Sequence, residues 1–154
     1  MKKYEKDGVL TIEDLKLPSN QQLEKGVAIT ECIQDIPCNP CVDVCPVDAI
    51  TMKDINAPPV VYYDRCIACK KCVGVCPGLA IFVIKYVDDK ALVTLPYEFL
   101  PVPKKNQKVT VLDRAGNKRD TGIVRQVRRI GKTTIVTVEV KKKDAMYIRN
   151  IRVS

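Results

Sequence analysis

Two runs of four cysteines, each closed by a Cys-Pro pair, constrain this 154-residue chain more than any other feature. The second run is Cys66-x2-Cys69-x2-Cys72-x3-Cys76-Pro77, and the first is Cys32-x5-Cys38-x2-Cys41-x3-Cys45-Pro46. The chain contains no histidine. That absence excludes mixed cysteine–histidine zinc sites and the usual Ser/His and Cys/His nucleophile pairs. Catalysis of bond chemistry by this chain alone is therefore not expected. Any metal must be held by thiolates, helped at most by a carboxylate. The start, residues 1–17, lacks the apolar stretch and small-residue cleavage site of a signal peptide. We read a cytoplasmic chain, where eight cysteines serve metal binding rather than disulfides. No apolar run approaches the roughly 20 residues of a membrane-spanning helix.

The spacing has a geometric meaning. Three thiolates spaced three residues apart converge only if the backbone curls around a compact object, and an iron–sulfur cube is one. Backbone amides of such a loop point at the sulfurs and stabilise their negative charge. The fourth cysteine lies on the next helical turn and points the other way, and the proline ends that turn. The first run departs in its first gap, which is five residues where two are usual, and Asp35 stands where a cysteine belongs. Either residues 33–37 loop out so that Cys32 reaches the iron, or Asp35 or solvent takes that corner, or the corner iron is lost. A thiolate is the softer and stronger ligand, which favours Cys32. The rival metal is zinc in two four-thiolate structural sites. Zinc ribbons use paired CxxC knuckles separated by a longer loop, and a run of four with a trailing proline, occurring twice, disfavours them. Ile33, Val42, Val44, Ile50, Ile67, Val73, Val75, Leu79 and Ile81 read as a dry lining.

The cysteines lie inside an internal repeat. Val27-Ala28-Ile29 leads to Cys32 and ends in Cys45-Pro46-Val47-Asp48-Ala49-Ile50. Val60-Val61-Tyr62-Tyr63 leads to Cys66 and ends in Cys76-Pro77-Gly78-Leu79-Ala80-Ile81. Each half reads as a strand, a cysteine loop, one helical turn and a returning strand. Beyond it the composition shifts. Residues 1–86 carry 10 Lys/Arg against 11 Asp/Glu, a sum of −1, whereas residues 87–154 carry 16 against 7, or +9. We divide the chain into an extension over residues 1–26, a cysteine domain over 27–88, a proline-containing connector over 89–103 and a small basic β domain over 104–154. Val109–Asp113, Ile123–Arg129 and Thr133–Val140 are β-branched and alternate at period two. With hairpin loops at residues 114–118 and 130–132, they predict a small antiparallel barrel-like domain. The tail, Asp144–Val153, fits either a helical turn or a closing strand.

Residues 27–86 resemble the dicluster bacterial-type ferredoxin domain, with the second run matching its spacing in full. The resemblance implies an α+β, ferredoxin-like (βαβ)2 fold, two [4Fe–4S] clusters and one-electron transfer. It also implies crossed ligation, with Cys32, Cys38, Cys41 and Cys76 on one cluster and Cys66, Cys69, Cys72 and Cys45 on the other. The stretch from Glu31-Cys32 to Cys38-Asn39-Pro40-Cys41, together with Cys76-Pro77-Gly78-Leu79-Ala80-Ile81 and Leu95–Pro101, is similar to a narrower group. These are small iron–sulfur subunits of FAD-dependent, dye-linked proline, amino-acid or glycerol-3-phosphate dehydrogenases. That resemblance implies a flavin-containing dehydrogenase partner in a hetero-oligomeric complex, with the basic half as the docking anchor. The alternatives are a freely diffusing ferredoxin and an iron–sulfur nucleic-acid-binding protein. Against the latter, residues 104–154 contain one aromatic, Tyr147, and offer no stacking platform. Lys70 and Lys71 flank Cys69 and Cys72, where their charge favours the reduced form of a cluster.

Overall fold

Helix α1 (Asn20–Lys25), after a 3-10 turn at Ile12–Asp14, forms as its sequence dictates. The Ser19 hydroxyl accepts from the Gln22 amide, and the Gln22 side chain accepts from the Ser19 amide. Gly26, at φ 96°, ends it and turns the chain into strand β1 (Val27–Thr30). A Cβ on Gly26 would meet the Ala68 Cβ at 3.2 Å, so the turn also needs glycine for its close approach to the second cysteine loop. The structure is a computed structural model that describes residues 6–33 and 37–153. Asp35, the alternative corner ligand, lies outside the described residues.

The expected repeat is present. Strand β1, helix α2 (Pro40–Val44) and strand β2 (Ile50–Thr51) form one half. Strand β3 (Val60–Val61), helix α3 (Lys71–Val75) and strand β4 (Ile81–Val87) form the other. β1 pairs antiparallel with β4 and β2 with β3, so each strand pair draws on both halves. α2 packs on α3.

The chain does not then pass through a connector into a separate barrel. β4 turns at Asp88, at φ 54°, directly into strand β5 (Lys90–Tyr97). β5 lies third in a seven-stranded sheet ordered β1-β4-β5-β8-β7-β6-β9, completed by β6 (Lys108–Leu112), β7 (Lys118–Ile130), β8 (Thr133–Lys141) and β9 (Asn150–Arg152). Most of the residues read as a connector are thus core strand: Ala91, Val93 and Leu95 have no exposed surface. Pro96 misled the reading. It lies beyond the last β4 rung at Thr94, where β5 has only β8 as neighbour and a missing donor is tolerated. The three strands expected in the basic half are β6, β7 and β8. The ambiguous tail resolves into a short 3-10 turn, Lys142–Asp144, followed by β9 on the free side of β6.

The barrel-like domain expected of the basic half has no sheet of its own and no closed barrel forms: its strands belong to the one open sheet, with β1 and β9 as edges. A bulge between Val124 and Gln126 in β7 adds to its curl. The two edges are tied by side chains instead of backbone rungs. Glu31, directly after β1, accepts from Arg114 at 2.7 and 3.0 Å and from Arg149, directly before β9. The side chains of Glu31, Arg149 and Arg114 are 6%, 3% and 10% exposed. Arg149 also donates to the carbonyls of Ala145 and Ile148 and lies over the Phe82 ring.

Candidate iron–sulfur centres

The two cysteine loops acquire their curl from unusual backbone torsions. Asp48 and Leu79 occupy equivalent places in the repeat, and both have φ 52°. Ala68 and Lys70 are also left-handed, at 56° and 72°. Non-glycine residues adopt this region rarely. Here it turns amides inward. The Ala49 N–H donates to the Cys45 Sγ at 3.3 Å, and the Ala80 N–H donates to the Cys76 Sγ at 3.4 Å. The Cys66 Sγ accepts from Ala28 and Ala68 at 3.2 and 3.5 Å. Such donors stabilise thiolate and cluster charge, and hydrogen bonds to sulfur are one determinant of potential.

No disulfide links the eight cysteines. Cys66, Cys69 and Cys72 line one enclosed chamber together with Cys45 from the first run. The rest of its wall is mostly apolar, including Val47, Ile50 and Val83. Burial raises the Cys72 thiol to about 12, and the nearby thiolates of Cys66 and Cys69 push the same way. Cys41 is raised to about 11, by burial first and then by the charges of Cys76 and Cys38. Cys76, from the second run, is therefore gathered with Cys38 and Cys41 of the first. Cys41 and Cys72 are close enough to affect each other, so the two groups adjoin. Held as thiolates in a dry site, these groups would need a cationic partner, and the soft donors present suit iron–sulfur ligation. Cys32 follows Glu31 at the end of β1 and is half-buried. Of the expected dry lining, Ile50, Val73 and Ile81 are buried, whereas Ile67 and Leu79 are 59% and 37% exposed.

Residues 31–80 match the family described as the 4Fe-4S dicluster domain. The matched stretch carries both cysteine runs. A dicluster domain holds two [4Fe–4S] clusters, in agreement with the cofactor expected from the cysteine runs. An uncharacterized ferredoxin of Methanocaldococcus jannaschii is 46% identical over 56 residues, which is 36% of this chain and 36% of that protein. The chain thus aligns with about a third of that relative's length. No solved structure matches.

The sheet supplies residues to the dicluster domain that its motifs do not announce. The Lys70 ammonium, half-buried beside the second chamber, donates to the Gln126 side chain at 2.9 Å and to the Thr137 hydroxyl at 3.2 Å. Thr137 in turn pairs with Thr94 at 2.8 Å, and both threonines are buried. Burial lowers the Lys70 pKa, and the charges of Arg128 and Lys85 add to the effect. Gly74 of α3 seats the domain on the sheet: a Cβ there would be 2.4 Å from the Ile130 Cβ. Several of the basic residues have acidic partners within the chain. Arg125 pairs with Glu139 at 2.7 Å, Lys141 with Asp120 at 3.1 Å and Arg119 with Asp144 at 3.3 Å. Among the described residues, no helix is long and apolar enough to cross a membrane.

Proposed function

We propose that this chain is an electron-transfer subunit that relays single electrons between a flavin-containing dehydrogenase and a further acceptor. The observation that carries the reading is the crossed gathering of thiols, with Cys45 in the chamber of Cys66, Cys69 and Cys72 and with Cys76 beside Cys41. Crossed runs make two adjoining centres, which suits a conduit. In this reading Cys32, Cys38, Cys41 and Cys76 hold one cluster and Cys45, Cys66, Cys69 and Cys72 the other. Each cluster, when bound, supplies reversible one-electron chemistry.

The chain's own residues set the conditions for that chemistry. The apolar walls exclude water and the inward N–H groups favour added negative charge. The Lys70 ammonium, held by Gln126 and Thr137, places a fixed positive charge at the second chamber. Dependence on a flavoprotein is supported by the resemblance of residues 31–41, 76–81 and 95–101 to small subunits of such enzymes. A basic half fused to a near-neutral dicluster domain suits dedicated docking.

Native anaerobic co-purification, followed by iron and flavin analysis, tests the proposal. About eight irons per chain and flavin in a co-purifying chain are expected. Zinc in place of iron refutes the carrier. A loaded monomer that brings down no flavoprotein refutes the subunit and leaves a free carrier.

A further inference from the structure

A second cavity, of about 270 Å³, lies behind the second cysteine chamber. Its lining includes Lys25, Lys70 and Lys85 above the hydroxyls of Thr94 and Thr137, and no acidic residue. The two cavities share Ile67, Ala68, Lys70 and Val83, so the floor of one is the wall of the other. Whatever occupies the groove is thus one layer of residues from the thiols of Cys66 and Cys69.

The charge there is uncompensated. Lys25 is anchored on the carbonyls of Tyr63 and Asp64, and Lys70 on neutral groups. Arg128 stands close enough for its charge to act on Lys70. Among the described residues no carboxylate pairs with Lys70, Lys85 or Arg128, although Arg125 and Lys141 in the same sheet do find acidic partners. Holding several cations together beside a half-buried ammonium costs stability through like-charge repulsion, and a partner of opposite sign relieves it. Ile67, 59% exposed and shared by both cavities, adds an apolar contact.

We propose that this groove is the electron-exchange port of the second centre and that it receives the acidic face of a protein redox partner. The inference rests on the electron-carrier reading above. One electron crosses the shared wall, the second cluster changing by one unit and the partner's redox centre by the opposite unit, with no bond made or broken. A protein face fits better than a small anion because the cations are spread over exposed Lys25 and Lys85 in the lining and exposed Arg128, whose charge reaches Lys70 from beyond it.

The cluster-loaded protein is tested by voltammetry on gold bearing a carboxylate-terminated monolayer, which stands in for the acidic face. Reversing the rim with Lys85→Glu and Arg128→Glu is expected to slow electron exchange by about tenfold or more at low salt, and added salt should erase the difference. Reversing Lys105 and Lys118, two exposed residues that do not line the groove, makes the same change in net charge and should leave the rate within about twofold. The single change Lys85→Gln, milder for folding, should give an intermediate loss. Equal slowing by both double reversals, or by neither, overturns the port. So does saturable calorimetric binding of citrate or phosphate that is lost in the rim variant, because it assigns the groove to a small anion. A loaded protein that gives no reversible signal on any surface refutes the carrier itself.

Discussion

Replacing Glu31 by Gln keeps the shape of the side chain and removes the one negative charge that joins the two edges of the sheet. The carboxylate is 6% exposed and faces Arg149 and Arg114 at 3% and 10%. In the variant Arg149 keeps its bonds to Ala145 and Ile148 and its place over Phe82, but two buried cations then face a neutral amide. One Nη of Arg149 already has no hydrogen-bond partner, so the site has little spare capacity to absorb the loss. Breaking a buried pair by removing one partner costs about 3–5 kcal/mol. For a chain of this size each kcal/mol moves Tm by roughly 2–4 °C, so a fall of about 6–20 °C is expected. Anaerobic thermal unfolding read by circular dichroism at one fixed scan rate measures it, since cluster loss makes unfolding irreversible. The double variant Glu31→Gln/Arg149→Met should be less damaged than the sum of the singles. A Tm within about 3 °C of the parent, or strictly additive losses, would refute the claim that this ion triad closes the seam.

Four further outcomes can be checked. Burial alone would raise the Glu31 pKa, but the hydrogen bonds and charges of Arg114 and Arg149 outweigh it and hold the carboxyl below its usual value. A depressed carboxylate stabilises the fold fully above the unfolded value of about 4.3 and loses that contribution as pH falls through the folded value. The Tm gap between the parent and Glu31→Gln should therefore be constant near neutrality and shrink below about pH 4.3; a gap that widens on acidification would contradict the sign. Gly74→Ala drives a Cβ to within 2.4 Å of the Ile130 Cβ and should cost about 1–3 kcal/mol, read as lowered Tm, with recovery in Gly74→Ala/Ile130→Ala. Cys45→Ser should remove about half the iron, as should Cys45→Ser/Cys69→Ser, whereas Cys45→Ser/Cys41→Ser should remove nearly all of it; the reverse pattern would uncross the ligation. Cys32→Ser should alter the EPR signal of one reduced cluster, and an unchanged two-cluster spectrum would hand that corner to another ligand.

The parts of this protein legible in its sequence are the local ones. Cysteine spacing and the following proline act within a few residues, so the curled loops, the short helices α2 and α3 and the paired halves follow from the pattern. The period-two stretches that became β6, β7 and β8 were equally plain, because alternation reports directly on a strand with a buried face. β5 was not. Its one proline points to irregular chain, and only the last β4 rung at Thr94 shows why Pro96 is tolerated. Charge was informative in bulk and misleading in detail, since Arg114, Arg119, Arg125 and Lys141 are engaged within the chain while Lys85 and Arg128 lack acidic partners among the described residues.

The sequence alone determined the two curled cysteine loops and the short helices after them, because those need only short-range geometry. Tertiary structure decided what surrounds them. Glu31 meets its arginines 83 and 118 residues away, and Lys70 reaches Thr137 across 67. Pairings at such separation leave no local pattern to read. They arise because one continuous sheet, curled but not closed, brings the edges together and sets the dicluster domain against β7 and β8.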